Sequence, residues 1–266
     1  MTIFQPETPT PSLSTRQFTL ATDLDGTFLG GTDADRQRLY RWIEAHRSSV
    51  GLIFVTGRDP DFITELVRSG QAPRPDYVVG DVGTTIAQVA EDATVHPIPA
   101  LEADISQRWN DSAEAVRAAL ADHPGLTLQP TAFRHRVSYD LHPDHFDRKS
   151  IETVRDMDLD HLISDNRYFD VLPRGVSKGP SLLRLLAHLE VPQAQVLAAG
   201  DTMNDLTMLI CGVPAVAVGG SEAPLLDAVR DHATVYKAKD IGAAGIIEAI
   251  AALSLHPQIE DAQHEV

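Results

Sequence analysis

The chain has 266 residues, 43% hydrophobic and 23% charged, which is the composition of a globular protein long enough for one large domain or two smaller ones. No apolar run approaches the ~20 residues that span a bilayer, so no membrane partner is expected. The formal charge of −16 repels a phosphate backbone and argues against nucleic acid as a partner.

Residues 1–17 carry Pro6, Pro9 and Pro11 among Ser and Thr and little apolar surface, so a disordered leader is expected there. The N-terminus lacks the basic start and apolar stretch of a secretion signal, which points to the cytoplasm. Phe18 to Leu24 reads as a short buried strand that runs into the turn Asp25-Gly26-Thr27. Asp33 is positioned to cap a helix carrying Leu39, Trp42 and Ile43, and Val50 to Val55 reads as a second buried strand ended by Thr56-Gly57. A helix over 59–69 and a strand over 76–80 continue the alternation, which implies a parallel sheet.

From Gly83 to Pro173 the rhythm changes. A helical stretch from Leu101 to Leu120 precedes strands near Leu126–Gln129 and Arg134–Leu141, then another helix and two short strands. This is the order of an α+β domain inserted at exposed turns, Gly83-Thr84-Thr85 and Leu172-Pro173-Arg174-Gly175. The expected organisation is a core of residues 18–85 and 173–266 with an insert of 86–172. In the second core segment, helix 178–189, strand 195–200, helix 204–210 and strand 214–218 restore the α/β alternation. The single cysteine, Cys211, has no disulfide partner and reads as a small apolar group behind a helix. The polar tail after Leu255 is expected to fray.

Four segments carry chemistry: Asp23-Leu24-Asp25-Gly26-Thr27, Val55-Thr56-Gly57-Arg58, Ser177-Lys178-Gly179 and Gly200-Asp201-Thr202-Met203-Asn204-Asp205. Three stand at expected strand ends, and the carboxyl ends of parallel strands share one edge, where ligands bind. Asp23, Asp25, Asp201 and Asp205 gathered at that edge repel one another unless a cation lies among them, and an oxygen-only donor set points to Mg²⁺. With charge so offset, Asp23 can attack phosphorus. Asp25 can protonate the leaving oxygen and then deprotonate the water that hydrolyses the aspartyl phosphate. Thr56 and Lys178 supply a hydroxyl and an ammonium for the transferring phosphoryl oxygens. Asp201 completes the metal site, Asp205 holds a water on the ion, and Asn204 orients the Lys178 region. Arg58 reads equally well as a partner of a surface acid or as a substrate contact.

In this order and spacing the four segments resemble the haloacid dehalogenase superfamily of aspartate-nucleophile phosphatases, over about Phe18 to Ile250. The resemblance implies a Rossmann-like parallel-sheet core with an inserted α+β cap of the large Cof-like type. Pro75-Asp76-Tyr77-Val78-Val79-Gly80 with Val82-Gly83-Thr84, the cap stretch Arg136-Val137-Ser138-Tyr139, and Asp170-Val171-Leu172-Pro173 resemble the sucrose-phosphate and mannosylfructose-phosphate phosphatases. It further implies that Asp25 meets Mg²⁺ through its main-chain carbonyl while its side chain moves protons. Gly57, Gly83, Thr84, Arg136, Ser138 and Tyr139 join Thr56, Lys178 and Asn204 as expected substrate contacts. Strand alternation sets Arg136 and Ser138 on one face and Val137 and Tyr139 on the other. Arg136 stands where sucrose phosphatases usually have Lys, and Gly220-Ser221 where Asn-Ala is common. The expected activity is Mg²⁺-dependent hydrolysis of a phosphorylated sugar or glycosylated small molecule by a monomer. A broad hexose phosphatase and a phosphosugar mutase or phosphotransferase are the alternatives.

Overall fold

The structure is a computed structural model that describes residues 11–259. In chain order its strands and helices are β1 (Phe18–Thr22), α1 (Asp33–Ala45), β2 (Val50–Val55), α2 (Pro60–Arg68), β3 (Tyr77–Gly80), β4 (Thr85–Val89), β5 (Val95–Pro97), α3 (Pro99–Trp109), α4 (Ala113–Leu120), β6 (Leu126–Leu128) and β7 (Val137–Leu141). There follow α5 (Lys149–Asp156), β8 (Leu159–Ser164), β9 (Tyr168–Pro173), α6 (Lys178–His188), β10 (Val196–Gly200), α7 (Leu206–Leu209), β11 (Ala215–Gly219), α8 (Ala223–Ala228), β12 (Val235–Ile241) and α9 (Ala243–Ala252).

Eight strands form one sheet in the order β12-β11-β10-β1-β2-β3-β4-β5, parallel from β12 to β3 and antiparallel at β4 and β5. Its central strands β1, β2 and β10 are buried throughout and mostly apolar because both faces are covered. Leu20, Leu52 and Phe54 enter one core cluster, with α1 and α9, while Ala21, Ile53 and Val55 enter the other, with α6 and α7. A four-stranded antiparallel sheet, β6-β7-β9-β8, has its own core of Val137, Tyr139, Phe169 and Val171 against Val116 and Leu120 of α4 and Val154 of α5.

Three expectations change. The large sheet does not end at residue 85: β4 pairs with β3 and β5 with β4, which covers the edge β3 would otherwise expose. Helix α3 then buries Ile105 in a large-sheet cluster and Trp109 in the small-sheet cluster. The helix expected over 101–120 is two helices, because Asn110 and Asp111 take the left-handed conformation at φ 49° and 51°. The cap of α1 is Thr32, whose hydroxyl accepts from the Asp35 amide, rather than Asp33, which is the first helical residue.

The leader expectation also needs revision for its described part. Leu13 is buried beside Gly51, and Arg16 binds Asp76 through two hydrogen bonds of 2.9 and 2.7 Å and the Val50 carbonyl at 2.9 Å. A fork-to-carboxylate pair of this kind ties 11–17 to β2 and the start of β3. At the other end, His256 and Ile259 are buried rather than frayed. Residues 1–10 of the expected leader and 260–266 of the expected tail lie outside the described residues. Cys211 packs half-buried against the α6 side of the sheet. Among the described residues no helix is long and apolar enough to cross a membrane.

Candidate active site

The four chemical segments meet at the carboxyl edge of the large sheet. Asp23 follows β1, Thr56 follows β2, Asp201 follows β10, and Lys178 opens α6. Gly26 sits at φ 81° in the turn after Asp23, and a Cβ there would come within 2.2 Å of Asp201 Oδ2. Only glycine lets the first loop approach the distant Asp201 so closely. Thr27 Oγ1 donates to Asp201 Oδ1 at 2.7 Å and closes that contact.

Lys178 is the hub. Its fully buried ammonium donates to Asp23 Oδ1 at 2.6 Å, Asp205 Oδ1 at 2.6 Å and Asn204 Oδ1 at 2.8 Å, using all three of its hydrogens. Asp205 is held in turn by its second oxygen, which accepts from the amides of Asp201 and Thr202, each at 3.0 Å. Burial pulls on the ammonium, yet the Asp205 and Asp23 carboxylates outweigh it and raise its pKa, so Lys178 is charged. Burial raises the Asp23 carboxyl well above the usual carboxylate range, against the pull of Lys178 and with the help of Asp205 and Asp201. Burial also pushes Asp201 up to about 6, although its Thr27 hydrogen bond opposes this.

Carboxylate oxygens of Asp23, Asp201 and Asp205 lie within 4.8 Å of one another. Three carboxylates facing one ammonium leave this buried pocket short of positive charge, and the donors are all oxygen. Both properties suit a hard divalent cation. The Asp25 carboxylate is outside this triad. It points outward and accepts a fork of hydrogen bonds from Arg58, Nε at 2.9 Å and a terminal nitrogen at 3.0 Å. The guanidinium is itself stacked 4.6 Å over the Phe62 ring, and the bond to Asp25 raises its pKa. Thr56 Oγ1 accepts from the Arg58 amide at 3.1 Å, which leaves its O–H free to donate.

A cavity of about 590 Å³ opens between this edge and the small sheet. From the large-sheet side Asp23, Asp25, Gly57, Arg58 and Asn204 line it; from the other side Phe133, Arg136, Ser138, Tyr168 and Asp170 do. Ser138 lies opposite Asp170 across β7 and β9 and donates to its carboxylate, so the two share the cavity face. Burial raises the Asp170 pKa, against the attraction of Arg136 and that hydrogen bond.

Of the expected contacts, Gly57, Arg136, Ser138 and Asn204 line the cavity, Thr56 and Lys178 are buried next to the lining residues Gly57 and Asp23, and three others are elsewhere. Tyr139 is buried in the small-sheet core near Phe169, on the face that alternation assigns away from Arg136 and Ser138. Gly83, at φ 105°, passes so close to α6 that a Cβ would lie 2.5 Å from the Ser177 carbonyl oxygen, and its own carbonyl accepts from Ser181 Oγ at 2.7 Å. Thr84 is buried and donates to the Asp81 carbonyl at 3.0 Å. Both residues shape the loop after β3 and do not line the cavity. Sequence reasoning missed the Arg58–Asp25 fork and the placement of Asp81. The first joins residues 33 positions apart and leaves no local signal. Asp170 was visible only as part of a motif, although its register opposite Ser138 follows once β7 and β9 are paired.

The arrangement matches solved haloacid dehalogenase-like folds. A haloacid dehalogenase-like hydrolase from Bacillus subtilis superposes with TM-score 0.64 at 18% identity, covering 91% of this chain and 93% of that one. The sucrose-phosphatase of Synechocystis, solved with sucrose and phosphate, superposes with TM-score 0.81 at 24% identity, covering 90% and 98%. The class is therefore a haloacid dehalogenase-type α/β fold with a cap. Residues 16–254 match the model of the sucrose-6F-phosphate phosphohydrolase family, and the chain belongs to that family.

Relatives include the glucosylglycerol-phosphate synthase of Pseudomonas anguilliseptica, 38% identical over 86% of this chain but only 30% of the relative. A sucrose-phosphatase of Nicotiana tabacum is 29% identical over 92% of this chain and 61% of its own length. The mannosylfructose-phosphate phosphatase of Agrobacterium fabrum is 28% identical over 90% and 98%. The chain thus spans less than two thirds of the first two.

Proposed function

We propose that this protein is a Mg²⁺-dependent phosphomonoester hydrolase acting on a phosphorylated sugar or glycosylated small molecule, through an aspartyl phosphate on Asp23. The observation that carries the reading is the buried Lys178 joined to both Asp23 and Asp205, within an oxygen-only acid triad whose Asp23 lines the cavity. Relatives named for sucrose, mannosylfructose and glucosylglycerol phosphates give the substrate class.

In this reading Asp23, Asp201 and Asp205, with the Asp25 main-chain carbonyl, would hold Mg²⁺, which when bound would offset charge on the phosphate oxygens. An Asp23 carboxylate oxygen forms a bond to phosphorus as the bond to the sugar oxygen breaks, and Asp25 gives that oxygen a proton. Asp25 then takes a proton from water as the water oxygen attacks phosphorus and the aspartyl bond breaks, releasing inorganic phosphate. Lys178 fixes the Asp23 carboxylate, and Thr56 directs its O–H at the transferring phosphoryl group. Asn204 holds Lys178 in place, and Gly57 keeps the cavity wall beside Thr56 clear. The small sheet with α4 and α5 acts as a cap that encloses the leaving group, presenting Arg136 and Ser138.

The test is phosphate release, with and without Mg²⁺, from sucrose 6-phosphate, mannosylfructose phosphate, glucosylglycerol phosphate, trehalose 6-phosphate and hexose phosphates. A strong preference for one member is the expected result. Equal rates across the panel would favour a broad hexose phosphatase, and isomerised product without phosphate release a mutase.

A further inference from the structure

Asp81 is absent from every motif that marks the reaction, yet the backbone goes to unusual lengths to place it. Asp81, Val82 and Gly83 take φ values of 52°, 61° and 105°, three successive residues in the left-handed region. For a β-branched residue such as Val82 this is a strained conformation, and strain of that kind persists only where the surroundings enforce it. They do so here. The Asp81 amide donates to the Arg58 carbonyl at 3.0 Å and the Val82 amide to the Thr56 carbonyl at 3.1 Å, so the loop hangs on the segment that carries the catalytic threonine.

The Asp81 carboxylate is buried behind the cavity wall. One oxygen accepts from Thr85 Oγ1 at 2.6 Å, and the same hydroxyl accepts from Arg134 of the small-sheet side at 3.1 Å. The other oxygen has no hydrogen-bond partner among the described residues and stands 3.6 Å from Arg136. Arg136 is buried too, 3.6 Å from Asp170 on another side and stacked 3.6 Å over Phe133, and its Nε has no partner among the described residues. Both ion pairs are longer than direct hydrogen bonds, and buried polar atoms are seldom left without partners. Arg136 and Asp170 line the cavity, whereas Asp81 does not.

We infer that Asp81 is a positioning residue that aims the Arg136 guanidinium into the cavity, where Arg136 and Asp170 together read neutral hydroxyls of the leaving group and not a second anionic group. The inference rests on the sugar phosphatase reading above. Its chemical basis is charge: two carboxylates already face one guanidinium, so a further carboxylate or phosphate is repelled. A hydroxyl both accepts from Arg136 and donates to Asp170, filling the gaps that 3.6 Å leaves.

The experiment compares sorbitol 6-phosphate with 6-phosphogluconate, two open-chain esters that differ only in a hydroxymethyl or a carboxylate at C1, and with p-nitrophenyl phosphate. The wild type is expected to prefer sorbitol 6-phosphate over 6-phosphogluconate. Asp81→Asn keeps the shape and the Thr85 bond, and should reduce that preference in kcat/KM at least 10-fold, chiefly through KM. Thr85→Val, which frees the carboxylate, should move the ratio in the same direction. Arg136→Lys combined with Asp81→Asn should lose little more than either alone. An unchanged ratio in Asp81→Asn overturns the inference, as does an equal fall for all three esters accompanied by a lower melting temperature, the mark of a merely structural role. No phosphate release from any sugar ester by the wild type would instead defeat the sugar phosphatase reading itself, and the inference with it.

Discussion

The two sides of the cavity are built to opposite specifications. On the large-sheet side Lys178 spends every hydrogen on a partner at 2.6–2.8 Å, and Asp205 is gripped by two amides. Across the cavity Arg136 stands 3.6 Å from each of two carboxylates, with one nitrogen unpartnered among the described residues. The first side is organised before anything binds, which is what electrostatic catalysis of phosphoryl transfer requires. The second is left incomplete. In the proposed reading a ligand supplies the missing hydrogen bonds, chemistry resides in strand ends fixed by a parallel sheet, and recognition in an antiparallel sheet face whose polar atoms await company.

The sharpest way to break this comparison is to disturb the completed side. Asp23→Asn should reduce phosphate release by roughly 10⁴-fold or more, as loss of a nucleophile does; measurable turnover near the wild-type rate would remove Asp23 from that role. Lys178→Met leaves Asp23 and Asp205 buried without a counter-charge and should destabilise the fold by about 3–5 kcal/mol, read by denaturant unfolding without Mg²⁺. A smaller gain is expected from the metal: Mg²⁺ at 100 times its dissociation constant should stabilise the wild type by about 2.7 kcal/mol, and chelation should abolish turnover. Asp201→Asn should blunt that stabilisation.

The cap should respond more weakly and to different variables. Burial, with Arg155 nearby, lowers the His161 pKa on β8, where its ring stacks on Phe169. A histidine depressed in the fold binds fewer protons than in the unfolded chain, so its contribution is full above its ordinary pKa of about 6.5 and is lost as pH falls through the lowered value. Protection factors of the β8 and β9 amides, taken against the intrinsic exchange rate at each pH, should therefore fall between pH 7 and pH 5, and His161→Phe should flatten the dependence. The smallest effect belongs to Tyr139→Phe. It removes a buried hydroxyl that has no partner among the described residues, so activity should hold within about 2-fold and stability within about 1 kcal/mol.

Much of the completed side was legible in the sequence because its residues sit where short apolar runs end, and parallel strands put such ends on one edge. The glycine after Asp25 announced the tight turn correctly, although its closest neighbour, Asp201, comes from the far end of the chain. What was not legible depends on pairing partners. β4 and β5 looked like the start of an insertion because nothing in Thr85–Val89 states that it turns back along β3. Arg16 looked like leader until Asp76 was placed beside it. Gly83 and Thr84 looked like ligands because they accompany ligands, whereas they set the spacing between the β3 loop and the lysine helix. Tyr139 failed for a reason available in advance, since a strand shows alternate residues to opposite faces.

Helix α3 deserves a last consequence. Ile105 is buried in a core of the large sheet, and Trp109, about one turn later, is buried in the core of the small one. That turn belongs to both bodies, and the chain returns only once, through Pro173-Arg174-Gly175. Any change in the angle between the sheets must be absorbed at these two crossings, so the width of the cavity mouth is governed by a single helical shaft and a short return strap lying away from the reacting atoms.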